Sequence, residues 1–266
     1  MCPNCRAFIG KNDRTCSYCG ERLGSSAVRQ NTEGELVGGL IPQAHFTTIL
    51  ILMINVGLFI ATQMFVKYLG AGGALAAFGG KFDVMNRHEY WRFVCAGFLH
   101  ADFFHIAMNS WVLYDLGAQT ENVYGTARFL CIYFVTTVGG FYLSNAMHPQ
   151  ILSIGSSAGI MGLIGAMLAF GVKNRTSAGR EIRAFYIRWA IYGLVMGIFL
   201  QSRTDNWAHI GGLVSGFILA YVAGTPVRSS RSSDSIWQVL AFACLALTAY
   251  SFFAMYQNFP TTNTVR

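Results

Sequence analysis

The chain has 266 residues, 53% of them hydrophobic and only 12% charged, with a formal net charge of +7. Soluble domains carry about 25% charged residues, so the composition excludes an ordinary soluble domain and points to a polytopic, all-α membrane protein. The positive balance comes without a basic helix interleaved with aromatics, which argues against nucleic acid as a partner; in a membrane chain it reflects Lys and Arg kept on the cytoplasmic side.

Residues 1–24 hold four of the seven cysteines, as Cys2-Pro-Asn-Cys5 and Cys16-Ser-Tyr-Cys19. Two C-x2-C knuckles this close together predict a small zinc ribbon with Cys2, Cys5, Cys16 and Cys19 as tetrahedral ligands. A segment so short has too little core to fold alone, so structural zinc would supply its stability. The competing readings are disulfides or a redox C-x-x-C; zinc requires a reducing compartment, where thiols persist. A closed all-cysteine site leaves no open coordination position. Its expected task is therefore docking of a cytosolic partner or regulation, with no metal cofactor in catalysis. The start of the chain is polar and cysteine-rich, unlike a cleavable signal peptide. Residues 25–45 read as a polar linker.

A first span is expected from about Thr47 to Val66, long enough for the roughly 20 residues a bilayer requires. The connection from Lys67 to Leu99 is unusually apolar and aromatic. Trp91 and Tyr90 suit the membrane interface. His88-Glu89 opens like a zinc-protease motif, but no histidine follows at the required spacing, so a metalloprotease has no support there. His100, His105 and Asn109 lead into a second span ending near Gln119. His105 and Asn109 are four apart and share a helical face. Span three is expected at about Ala127 to Met147.

Span four, Ile151 to Gly171, contains Gly155-Ser156-Ser157-Ala158-Gly159. In a soluble hydrolase G-x-S-x-G is a strand-to-helix nucleophile elbow. Here the whole run is hydrophobic, which excludes a hydrolase sheet, and small residues are common at membrane helix contacts. Read as helix throughout, the segment places Ser157 roughly 10 Å below the Pro149-Gln150 turn. Span five is expected at about Ala184 to Leu200. Span six, Trp207 to Gly224, carries Ala208, Gly212 and Gly216 as a small-xxx-small face beside His209. Residues 226–266 hold a basic linker, a seventh span at about Ile236 to Gln257, and a polar tail.

Seven spans put the chain ends on opposite sides. With the N-terminus inside, thirteen of the nineteen Lys and Arg residues fall on inner segments and six on outer ones, as the positive-inside rule favours. Spans two, four and six then start at the outer face and bring His105, Asn109, Ser157 and His209 into one leaflet. Serine becomes a useful nucleophile when a base takes its proton, and His209 is the candidate base. Asn109, His105 and the Ser157 backbone N–H are candidate donors for an oxyanion.

These motifs together resemble the rhomboid family of intramembrane serine proteases. The resemblance covers about residues 45–225 and rests on Trp91-Arg92, on His100, His105 and Asn109, on Glu121 and Gly125, on Gly155 to Ser157, and on Ala208-His209 with Gly212 and Gly216. It implies a six-helix core at 46–225, with the seventh transmembrane helix as a C-terminal addition and the ribbon outside the core. It implies a Ser157–His209 dyad, an oxyanion site lined by His105 and Asn109, and a first loop lying sideways in the membrane. The family often has glycine directly after the nucleophile; this chain has Ala158 and then Gly159. Ser156 is the rival nucleophile on spacing alone.

The function expected is hydrolysis of peptide bonds in or near the transmembrane helices of membrane protein substrates, within the lipid bilayer. The setting expected is a prokaryotic plasma membrane, with the N-terminus cytoplasmic and the C-terminus outside. The alternatives are a catalytically inactive relative that binds membrane clients, disfavoured by the presence of both Ser157 and His209, and a transporter or scaffold, which predicts an inverted repeat that the sequence does not display.

Overall fold

The computed structural model describes residues 46–199, 204–225 and 231–260. The four cysteines of the expected zinc ribbon, and the linker after them, lie outside the described residues. The elements, in chain order, are α1 (Phe46–Ala77), α2 (Val84–Arg87), α3 (Arg92–Cys95), a 3-10 turn (Ala96–Phe98), α4 (Phe103–Met147), α5 (Ser157–Lys173), α6 (Ser177–Phe199), α7 (Asn206–Ala223) and α8 (Arg231–Gln257). Five helices (α1, α4, α6, α7 and α8) are long and apolar enough to cross a membrane, while α5, at 17 residues, is a shorter apolar helix. Among the described residues the only β pairing is the bridge between Lys81 and Ser153.

The burial pattern inverts that of a soluble protein. Thr48, Asn55, Thr62, Thr120, Glu121 and Thr136 are buried, whereas Met53, Met64, Trp111, Phe199, Val222 and Phe242 are exposed. Apolar side chains gain nothing by leaving a hydrocarbon solvent, so polar groups turn inward to find partners. Glu121 shows how. One carboxylate oxygen accepts from the backbone N–H and hydroxyl of Thr48 at 3.3 and 3.0 Å, and the other from Thr126 at 3.1 Å.

The sequence places a gap between spans two and three at 120–126. The fold narrows that gap to one residue. α4 keeps helical geometry on both sides of Gly125, whose φ of 75° and ψ of 160° belong to a region open to glycine. His105 at one end of α4 lies beside Gly155, and Ser144 near the other end bonds Asp205 close to His209. Both ends thus reach the same level, and the chain reverses at Gly125. Helical φ/ψ also breaks inside α1, at Gly70 (φ 70°).

Span four needs the larger correction. The run from Ile151 is not helical until Ser157. Residues 151–156 descend without helical structure, held by two backbone hydrogen bonds between Lys81 and Ser153 (2.9 Å each) and one from the Gly155 N–H to the Ala96 carbonyl (2.9 Å). Ser157 therefore reaches its depth on a pinned extended segment rather than two turns down a helix.

α5 is the central helix and packs along α7, α4 and α6. Its contact with α7 is backbone against backbone: the Ala158 carbonyl faces Gly212 and the Gly162 carbonyl faces Gly216. α8 lies on α4 and on α3. Arg128, buried, pairs with Asp234 at 2.9 Å and stands over the Trp237 ring at 5.6 Å. Phe98 meets Phe252 edge-on at 5.3 Å, and the Cys95 thiol donates to the Ser251 carbonyl at 3.4 Å.

Candidate active site

Ser157 is the first residue of α5 and His209 lies in the first turn of α7. The close approach of Gly212 to Ala158 sets these helices near enough for Ser157 Oγ and His209 Nε2 to be hydrogen-bonded at 2.9 Å. Ser156, the rival on spacing, is directed elsewhere. It is fully buried, and its hydroxyl lies 3.4 Å from His100 Nε2. Gly155 has φ 121°, a conformation that L side chains rarely adopt. A methyl group there would stand 2.8 Å from His105 Nε2 and 3.6 Å from Ser157 Oγ. The missing side chain leaves the His105 ring facing the approach to the serine.

His105 is placed by the start of α4. Asp102 caps this helix by accepting from the His105 N–H at 2.9 Å. Asn109 follows one turn on and is buried. The rings of His100 and His105 pack edge-on at 5.0 Å. Burial, assisted by the neighbouring His105, pushes His100 down to about 3, so this ring is neutral at physiological pH. As the opening residue of a helix, Ser157 has a backbone N–H among the first four, which have no intrahelical acceptor.

Trp91 and Arg92 are not brought to the serine. The Arg92 guanidinium lies over the Trp91 ring at 4.5 Å and donates to the carbonyls of Ala76 (2.6 Å) and Gly80 (3.2 Å) and to Glu89 (2.6 Å). Both residues hold the first loop together. Gly212 and Gly216 act at the α5–α7 contact, as their spacing suggests.

Three residues beside the site escaped the sequence reading. Asp205 caps α7 by accepting from the N–H groups of Trp207 and Ala208, at 3.1 Å each, and also accepts from the Ser144 hydroxyl. Burial opposes its charge, but the hydrogen bond from Ser144 and the attraction of Lys81 hold its carboxyl below the usual range. Lys81 is wholly buried, donates to the His148 carbonyl at 2.9 Å, and is lowered to about 8 by desolvation. An Asp directly before an apolar helical run is an N-cap signature that could have drawn attention to Asp205; nothing in the sequence marks Lys81 as buried.

Comparison with known proteins bears on the family of the chain. Residues 87–226 match the family model of the Rhomboid domain. The chain is 36% identical over 194 residues to Rhomboid protease GluP of Bacillus subtilis, covering 70% of this chain and 38% of that protein. It is 32% identical over 139 residues to RHOMBOID-like protein 1 of Arabidopsis thaliana, covering 52% of this chain and 36% of the relative. It is 31% identical over 166 residues to Rhomboid-like protease 3 of Toxoplasma gondii, covering 62% of each. The chain thus spans less than two thirds of the length of each of these relatives. A domain match over more than half of the sequence, on a multi-pass helical membrane protein, establishes that this chain belongs to the rhomboid family.

Proposed function

We propose that this protein is an intramembrane serine endopeptidase that cleaves membrane protein substrates in or near a transmembrane helix. Ser157 is the nucleophile and His209 the general base. The Ser157 hydroxyl gives its proton to His209 Nε2 as Oγ attacks the peptide carbonyl. The oxyanion that forms accepts hydrogen bonds from the Ser157 N–H, His105 and Asn109. His209 then protonates the leaving amine, and water hydrolyses the acyl-enzyme with His209 again as base. The observation that carries this reading is the 2.9 Å hydrogen bond between Ser157 and His209, across two helices that glycines allow to touch.

The surrounding proposals follow from the sequence. Two halves of α4 together with α1, α5, α6, α7 and α8 make seven crossings, with the N-terminus in the cytosol and the site open to the outer face of a prokaryotic plasma membrane. Cys2, Cys5, Cys16 and Cys19 form a thiolate donor set suited to tetrahedral zinc. That ion would fold the ribbon, which would then present a docking surface to a cytosolic partner, and would take no part in peptide hydrolysis.

The test uses the purified protein and a model single-span substrate in detergent. The wild type is expected to cleave it and to react at Ser157 with a fluorophosphonate. Ser157→Ala and His209→Ala are expected to do neither. Cleavage by both variants at the wild-type rate means the dyad is wrongly assigned; a wild type that binds the substrate but never cleaves it is the inactive relative.

A further inference from the structure

His209 makes its hydrogen bond to Ser157 through Nε2, while Nδ1 has no hydrogen-bond partner among the described residues. No carboxylate orients the ring through Nδ1 as in a serine triad. The Gly193 backbone lies beside the imidazole, but a neutral group does less than a negative charge to favour the positive charge the ring acquires when it takes the serine proton. An acid stands at the head of its own helix: the Asp205 backbone carbonyl accepts the His209 N–H at 3.1 Å, so the two residues are one turn apart, and the Asp205 charge acts on the ring.

The surroundings of Asp205 are unusually well built. Its carboxylate accepts two backbone N–H groups of α7 and the Ser144 hydroxyl from α4. The buried ammonium of Lys81 attracts it from the first loop. The backbone of Lys81 in turn pairs with Ser153, four residues before Ser157. One lysine is therefore paired through its backbone with the segment that delivers the serine, while its charge acts on the residue that starts the helix of the histidine. Lys81 and His209 are buried and Asp205 is half-buried, so charges here are screened less than at an open surface.

We propose that Asp205, held by Ser144 and the first N–H groups of α7, is a positioning residue that fixes His209 against Ser157 and supplies the negative charge that favours the imidazolium during turnover. The inference rests on the Ser157–His209 reading.

The test separates charge from capping. Asn is as good an N-cap as Asp, so Asp205→Asn keeps the start of α7 and removes the charge. A neighbouring opposite charge shifts the balance between protonation states by one to three powers of ten. The kcat of Asp205→Asn on the single-span substrate should therefore fall at least about tenfold with KM unchanged, and its melting temperature should fall less than that of Asp205→Ala, because both lose the charge facing Lys81 but only the Ala variant also loses the cap. Asp205→Ala should lose the same kcat and also melt earlier. Wild-type kcat in Asp205→Asn overturns the proposal. So does a kcat loss that comes with an equal rise in KM or with the melting temperature of the Ala variant. Ser157→Ala is assayed beside them. If it still cleaves, the dyad reading itself has failed; if it is inactive while Asp205→Asn is normal, only the role of Asp205 has.

Discussion

Replacing Gly212 by alanine tests whether backbone contact between α5 and α7 is what sets the Ser157–His209 distance. A methyl group on Gly212 would fall well inside the van der Waals contact distance of the Ala158 carbonyl oxygen, with the Ala158 Cα only 3.4 Å away. The obstacle is main chain, so no side chain can swing aside. Relief to an ordinary contact of about 3.5 Å requires the helices to part by on the order of 1 Å. Ala158 follows Ser157 directly and Gly212 lies one turn from His209, so most of that movement reaches the pair. A 2.9 Å hydrogen bond lengthened by on the order of 1 Å passes beyond hydrogen-bonding range. A misplacement of this size costs roughly 10²-fold in rate, while the overpacking itself costs about 1–3 kcal/mol of stability. The assay is kcat on the single-span substrate, with melting temperature measured alongside. Gly57→Ala meets nothing within 4 Å and should behave as wild type, and Gly193→Ala meets the flexible Met161 sulfur at 2.9 Å and should lose little. If Gly212→Ala cleaves within about twofold of wild type, or is no worse than Gly193→Ala, the contact does not govern the site.

Lys81 gives a pH-dependent expectation. Burial lowers it from 10.5 to about 8, partly offset by Asp205. A base whose pKa is lower folded than unfolded releases its proton more readily in the fold, so the cost of burying the ammonium is full below the folded value and is relieved as pH rises towards the unfolded one. The melting temperature of the wild type should therefore climb relative to Lys81→Met between pH 8 and 10.5; parallel curves would show that Lys81 is not the group responsible. For the ribbon, elemental analysis should find one zinc per wild-type chain and none in Cys16→Ser, and equal zinc in both would overturn the four-cysteine assignment.

Much of the site was legible because polar groups in an apolar run are conspicuous. His105 and Asn109 stand four apart at the head of a helix, and Ser157 and His209 each interrupt a stretch of small and hydrophobic residues. The glycines at 212 and 216 likewise foretold a close helix contact. What could not be read was conformation inside uniformly apolar sequence. Residues 151–156 have the hydropathy of a membrane helix, yet they run extended because Lys81 and Ala96 satisfy their backbone groups from another part of the chain. Thr120, Glu121 and Tyr124 resembled a loop between spans, but Thr120 bonds back to Leu116 in its own helix, and Glu121 and Tyr124 find buried partners on α1 and α5. Lys81 counted as one more exposed cation on the outer side. Its buried ammonium is met by the His148 carbonyl and by the charge of Asp205, both distant in sequence, which no local pattern announces.

Helix α8 has a consequence for the rest of the molecule. Its Ser251 carbonyl receives the Cys95 thiol, and the next residue, Ala96, offers the carbonyl that fixes the Gly155 N–H. Phe252 braces Phe98 in the same short turn, while Asp234 and Trp237 fasten the far end of α8 to Arg128. The helix acts as a buttress: it carries no candidate chemical group, yet the floor of the site leans on it through a single intervening turn. The flank of α4 and α3 that it covers is closed to a second helix at that position. The core and its C-terminal addition are therefore one mechanical unit, and a chain cut before Arg231 would lose the prop beneath Gly155 along with a membrane crossing.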